Sequence, residues 1–195
     1  IYGVGQMNML ATRLLTEKGV EIVGAINRSG KKIGKDLGLL SGIGKLGVPI
    51  SDQPDKVLSN EADIVIVGVA GALPRMFPIY KKCLEAKINV ATIGESSSYS
   101  WRLHPELTAE LDSCAKANGV TITGTGAQDF GIVHLGVSLS GACHKIEKII
   151  YRSYFDATEF GKETLAALSE SPSMYTTFWE NVASALNLTI VNIEE

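Results

Sequence analysis

The grouping in this chain best suited to proton chemistry is a carboxylate with two aromatic rings close behind it: Glu95, then Tyr99 and Trp101, directly after the strand-like run Ile88 to Ile93 and Gly94. At the carboxyl end of a strand such a group faces the crevice where ligands lie in open α/β sheets. Roofed by Tyr99 and Trp101, the acid would be desolvated, which raises its proton affinity toward the range useful for acid/base work. Capping the next helix or a surface salt bridge is the plainer role for such a residue, since most glutamates are solvated. A second polar strand end, Gly124 to Asp129, opens toward the same edge. His134 could reach the same pocket from a helix of small residues, although packing within that helix is its commoner role. His104 and His144 sit at element boundaries and read as solvated.

A binding surface is needed beside that acid, and the start of the chain offers one. Ile1-Tyr2-Gly3-Val4-Gly5-Gln6-Met7-Asn8 runs from an apolar strand end through a glycine pair into a helix. Gly3 would allow the tight turn and Gly5 the close approach of a pyrophosphate, met by N–H groups at the helix start around Gln6 and Met7. Asn8 stands where the usual pattern has its third glycine, and a tight turn without a ligand is the alternative. The second strand, Val20 to Ile26, ends in Asn27-Arg28-Ser29, where an NAD site carries an acid for the ribose hydroxyls. Asn27 cannot repel a 2′-phosphate and Arg28 can pair with one, so NADP(H) is preferred and NAD(H) remains possible. A solvated turn that happens to contain arginine is the competing reading.

The elements that position these residues follow in alternation. The stripe Met7, Leu10, Ala11, Leu14, Leu15 predicts a first helix packed on a sheet through its apolar face. Gly30 to Gly47 reads as a flexible excursion at the cofactor rim, with a weak helical pattern from Ile33 to Leu40. Val48 to Ser51 reads as an edge strand and Asp52 to Asn60 as a short helix. Ala62 to Ala70 is an apolar run typical of a parallel strand covered on both faces, with Val69 and Ala70 at its ligand end. Next come a helix from Leu73 to Ala86, irregular at Pro78, the strand Ile88 to Ile93, a helix from Pro105 to Asn118 closed by Gly119, and the strand Val120 to Thr123. Phe130 to Ala142 predicts a buried helix, Lys145 to Phe155 a long strand, and Met174 to Leu186 an aromatic helix serving a core or a dimer interface. The fold class is α/β, a doubly wound parallel sheet over residues 1–130, followed by the start of a second α+β domain over 131–195. Gly126 and Gln128 complete the cofactor-binding set.

Composition sets the outer bounds. With 195 residues, 45% of them hydrophobic, and a net charge of -3, the chain supports an ordinary globular core and a soluble protein. The 18 basic residues are scattered among 21 acidic ones, which argues against nucleic acid and anionic membranes as partners. The apolar run Ile64 to Leu73 is far below the roughly 20 residues of a membrane span. Cys83, Cys114 and Cys143 form neither a metal-type pair nor a disulfide set, so no metal is expected and the cytoplasm is the default compartment. Only Ile1 and Tyr2 precede the glycine turn, where a central strand takes about 5 or 6 residues. Apolar residues upstream, and partner strands for Lys145 to Phe155, are therefore expected outside this sequence or at an internal break.

The order GVGQMN, NRS after the second strand, INVATIGES, and PELTAELDSCAKANGVTITGTGAQD resembles the 2,4-diaminopentanoate dehydrogenase and native amine dehydrogenase family, Rossmann-type relatives of dihydrodipicolinate reductase. The likeness covers most of residues 1–155. It implies NAD(P)-dependent oxidative deamination of an amine, or reductive amination of a small ketone or aldehyde with ammonia. The family's active-site glutamate falls on Glu95, and its GTG turn near the nicotinamide on Gly124-Thr125-Gly126. It also implies a homodimer formed through the second domain. Gln128-Asp129-Phe130 replaces the Asn-Pro-Gly of a related branch, a departure that bears on the substrate. The His-His pair and lysine of cyclic-imine reduction are absent. A carboxylate suits the reaction because it stabilises an iminium and moves protons. The alternatives are a reductase or dehydrogenase for another carbonyl or imine, and a non-catalytic NADP-sensing module.

Overall fold

The computed structural model describes residues 1–28, 30–69, 71–94, 99–126, 129–152, 154, 156 and 173–194. They form two compact units, Ile1–Gly124 and Thr125–Glu195.

The first unit is built on one parallel sheet. Its strands are β1 (Ala25–Ile26), β2 (Ile50–Ser51), β3 (Ile64–Val67), β4 (Asn89–Thr92) and β5 (Ile122–Gly124). Tyr2 bridges Ile26 on one side and Val67 on the other, joining the pair β1-β2 to the trio β3-β4-β5. The order across the sheet is therefore β2, β1, the Ile1–Gly3 segment, β3, β4, β5, a doubly wound Rossmann-type arrangement. The chain winds outward from the centre to one edge, then returns to wind outward to the other. The reversal falls between Tyr2 and β3, and such a switch point opens a crevice at the carboxyl ends of the strands. Backbone bonds fix it: Tyr2 N–H donates to Ile66 O at 2.8 Å, Gly68 N–H to Tyr2 O at 2.9 Å and Gly3 N–H to Ile26 O at 2.8 Å.

Helices α1 (Gln6–Glu17), α2 (Leu37–Ser41), α3 (Pro54–Leu58), α4 (Leu73–Glu85) and α5 (Pro105–Asn118) connect the strands. One core gathers Val65, Val67, Leu73, Met76, Tyr80, Leu84, Val90 and Leu111; a second gathers Val4, Ala25, Leu37 and Ile50. Helix α4 runs unbroken through Pro78. Helix α5 has the expected bounds, with proline at its first position and Gly119 in the left-handed region (φ 69°) at its end, where a side chain would be strained.

Helix α1 corrects the expected apolar stripe. Met7, Leu10 and Leu14 are 61%, 39% and 48% exposed, whereas Asn8 and Thr12 are buried. Burying these polar groups costs little because both are satisfied. Asn8 Nδ2 donates to Gly3 O at 2.8 Å and to Tyr2 O at 3.0 Å, and the Thr12 hydroxyl donates to Asn8 O at 2.7 Å. Space decides the rest. A Cβ on Gly68 would lie 2.5 Å from Asn8 Cγ, so the glycine on the strand end makes room for the amide on the helix.

Three further expectations change. The second strand shrinks from Val20–Ile26 to Ala25–Ile26, because its pairing with the central segment begins at Gly24, whose carbonyl accepts from the Ile1 amino group at 2.8 Å; the Val23 carbonyl accepts from the Asn60 side-chain amide at 3.1 Å. The excursion at 30–47 is pinned rather than flexible. Asp36 caps α2 and accepts from the N–H groups of Leu39 and Leu46 at 3.1 Å, Gly47 at 2.7 Å and Val48 at 3.1 Å. Residues 145–152 hold no strand; an extended run with no partner is not a sheet.

In the second unit a π-helix (Asp129–His134) leads into α6 (Leu135–Ser140), and α7 (Ser173–Ala185) packs against the π-helix. Ile132, Val133, Phe178 and Val182 form its core, with Ile149 and Trp179 against them. The expected buried helix is thus buried only in its first half; α6 has no buried residue. Among the described residues no helix is long and apolar enough to cross a membrane, and no His, Cys, Asp and Glu cluster could hold a metal.

Two tests follow from this packing. Gly68→Ala should cost about 1–3 kcal/mol of unfolding free energy by overpacking, and Asn8→Ala should remove the obstruction. The double variant should then be less destabilised in urea than the sum of the two single ones; strict additivity would contradict the close approach. The second test concerns Asp36, whose carboxyl the N–H of Leu46, against a smaller opposing effect of desolvation, and those of Leu39, Gly47 and Gly38 hold below its ordinary range. A depressed native pKa contributes stability above the unfolded value that is lost as pH falls through the native one. Asp36→Asn should therefore melt several degrees below the parent at neutral pH, and the gap should close in acid.

Candidate functional site

The crevice at the switch point is shaped by glycine backbone. Gly3 sits in the left-handed region (φ 86°), and a Cβ there would come within 2.5 Å of Val69 Cγ2 and 3.1 Å of Gly68 O. The tips of the central segment and of β3 therefore touch, and only glycine fits. Gly5, by contrast, has extended backbone, and a Cβ on it would meet nothing within 4 Å. It forms the N-cap of α1, with no side-chain cap and no acid in the first turn. Nothing in this helix start competes with an anion for the N–H groups near Gln6 and Met7, and open space faces the backbone. A dinucleotide pyrophosphate meets both conditions.

The far end of the crevice is set by β1. Asn27 Oδ1 accepts from Val4 N–H at 3.2 Å, so this residue turns inward onto the glycine loop. Arg28 is exposed beside it. A residue not singled out from the sequence completes the corner: the half-buried Lys32 donates from Nζ to Val4 O at 2.5 Å. One residue of the turn, Val4, is thus clasped through both of its backbone groups, its N–H by Asn27 and its C=O by Lys32. The signal available was a lysine-rich loop following the second strand, in which no single lysine stands out.

At the carboxyl end of β4 a buried hydroxyl pair prepares the approach to Glu95. Tyr80 Oη and Thr92 Oγ1 are 2.9 Å apart, and Gly94 N–H donates to Thr92 Oγ1 at 3.0 Å. A Cβ on Gly94 would fall 2.3 Å from Tyr80 Oη. Burial, only partly offset by the Thr92 bond, pushes the Tyr80 phenol above its ordinary value, so it stays protonated and serves the backbone. Tyr99 is half-buried and Trp101 is 45% exposed. Glu95, Ser29, Ala70 and Gln128 lie outside the described residues. Of the remaining expected residues, Gly3, Gly5, Gln6, Met7, Asn27, Arg28, Val69, Tyr99 and Trp101 belong to the first unit. Gly126 (φ 136°) and the exposed His134 belong to the second.

Comparison with known proteins agrees with this architecture. Residues 1–92 match the family model described as dihydrodipicolinate reductase, N-terminus. Over 171 residues, 83% of this chain and 47% of the relative, the sequence is 32% identical to 2,4-diaminopentanoate dehydrogenase of Acetoanaerobium sticklandii. A shorter stretch of 62 residues, 32% of this chain and 22% of the relative, is 37% identical to 4-hydroxy-tetrahydrodipicolinate reductase of Archaeoglobus fulgidus. The solved amine dehydrogenase of Mycobacterium smegmatis superposes with a TM-score of 0.89 at 34% identity, over 98% of this chain and 62% of that one. The chain thus spans about half the length of the diaminopentanoate dehydrogenase and under two thirds of the amine dehydrogenase. It has a dihydrodipicolinate-reductase-type amino-terminal region and, along most of its length, is similar to a 2,4-diaminopentanoate dehydrogenase and to an amine dehydrogenase.

Proposed function

We propose that this protein is an NADP-preferring amine dehydrogenase, acting on a small ketone or aldehyde with ammonia and, in reverse, on the corresponding amine. The observation that carries the coenzyme half is the Gly3–Gly5 turn at the strand-order reversal, where the backbone of Gly5 faces open space and the first turn of α1 holds no acid. The amine half draws on the relatedness to the amine dehydrogenase and the diaminopentanoate dehydrogenase. The coenzyme, when bound, supplies or accepts the hydride. This chain's residues supply the rest: the glycine turn seats the phosphates, and Asn27 and Arg28 leave the ribose corner without an acid.

In this reading Glu95 orients ammonia and takes its proton as the carbinolamine forms. It returns that proton to the carbinolamine hydroxyl, which leaves as water, and the carboxylate then stabilises the positive charge of the iminium before reduction. The buried Tyr80 and Thr92 hydroxyls hold the strand end that leads into it. Tyr99 and Trp101 wall the substrate pocket, and the protein works as a homodimer in the cytoplasm.

The test is oxidation of NADPH with cyclohexanone or a short aldehyde, with and without ammonium. Ammonium-dependent turnover is expected; ammonium-independent turnover would make the protein a carbonyl reductase, and coenzyme binding without turnover a sensor. Glu95→Gln should lower kcat by about 10²- to 10⁴-fold, the usual contribution of a positioned proton-transfer group, while NADPH affinity stays within about threefold, under 1 kcal/mol. Near-parental turnover in that variant would remove Glu95 from the mechanism.

A further inference from the structure

We infer that Lys32 reads the adenosine 2′-phosphate of the coenzyme, with the Val4 carbonyl oxygen holding its ammonium at the glycine turn until that phosphate takes it. This rests on the coenzyme reading above and adds the residue that makes the choice between the two nicotinamide dinucleotides.

The position of Lys32 is set by backbone, not by its own side chain. Gly34 N–H donates to Ile50 O at 2.8 Å and Ile50 N–H to Lys35 O at 2.9 Å, sewing the turn that carries Lys32 onto β2. Within that turn Ile33 N–H donates to Gly30 O at 3.2 Å and Lys35 N–H to Lys32 O at 3.1 Å. From this fixed base the side chain crosses to the central turn and ends on Val4 O. The corner it reaches is the one beyond β1 where a coenzyme's adenosine ribose lies. Asn27, at the place of the usual ribose-binding acid, spends its Oδ1 on Val4 N–H.

Charge and valence point the same way. An ammonium carries three donors, of which the Val4 carbonyl takes one. Among the described residues Lys32 has no carboxylate within ion-pair distance. A half-buried ammonium that no carboxylate neutralises has donors to offer and gains from an anion brought to it. A 2′-phosphate offers up to two negative charges and three oxygens at that corner; a bare ribose hydroxyl offers neither. Arg28 is exposed on the same loop and adds a second, looser cation.

The test separates the phosphate from the rest of the coenzyme. Calorimetric titration of the parent with 2′,5′-ADP and with 5′-AMP, which differ only in the 2′-phosphate, should show tighter binding of 2′,5′-ADP. Lys32→Met should weaken 2′,5′-ADP by about tenfold or more, the scale of one charge-assisted hydrogen bond, and leave 5′-AMP within about twofold. Lys32→Arg should keep the preference. Should Lys32→Met not fold, Lys32→Gln, which retains a donor for Val4 O but no charge, is judged by the same criterion. Equal weakening of both probes, or weakening of neither, overturns the inference. A parent that binds both probes equally overturns it alone, whereas a parent that binds neither overturns the coenzyme reading with it.

Discussion

The crevice of this protein depends on one buried side-chain amide. Asn8 reaches from the first turn of α1 to the carbonyl oxygens of Tyr2 and Gly3, the last groups of the central segment before the chain turns away. Of those carbonyls, that of Tyr2 also accepts from Gly68 N–H, whereas that of Gly3 lies where the sheet stops pairing and, left bare in the interior, would cost about 1–3 kcal/mol. By satisfying them from the helix, Asn8 fixes the angle at which α1 leaves the sheet, and so the direction of its first N–H groups. The arrangement is possible because the end of β3 carries Gly68, whose missing Cβ is the space the amide fills. A third glycine usually provides close helix–strand contact in such turns; here the closeness is kept and the glycine has moved to the strand.

Around that fixed turn the flanking loop is held by charge as well as by apolar burial. Asp36 gathers backbone N–H groups of α2 and of the segment returning to β2, closing a glycine-rich loop whose Leu37 is buried in the core with Ile33 and Leu40 against it. Lys32 lies just before this knot and reaches back to Val4. An anchored loop delivers a long side chain to one place at low entropic cost, because its backbone is already ordered by contacts made for other reasons. The rim of the crevice is therefore preorganised on the side where the adenosine ribose of a dinucleotide would lie, while the apolar sheet supports it from beneath.

The alternation of strands and helices was legible from residue types alone, and α5 was readable to its ends because proline and glycine punctuate it. Strand lengths were not. Val20 to Ile26 has strand composition throughout, yet a strand exists only where a partner pairs with it, and pairing with the central segment begins at Gly24. Residues 145–152 likewise have strand composition but no described partner. The facing of α1 was misjudged because periodicity counts apolar residues and assigns polar ones outward. Asn8 and Thr12 reverse that rule through bonds to a strand end and to their own helix. The glycine turn was recognisable within a few residues of sequence, but its supports were not: Gly68 and Lys32 matter through contacts across the fold, and local pattern carries no trace of them.

The Tyr80 hydroxyl and Gly94, which meet at the end of β4 with no room for a methyl group between them, have a bearing on how such a chain can diverge. Neither position is free to drift on its own. A larger residue at 94 is admissible only after the phenol has gone, and losing the buried phenol gives up its bond to the Thr92 hydroxyl. Divergence at this strand end must therefore proceed through a weakened intermediate or by paired replacement, which slows change in the segment that follows β4.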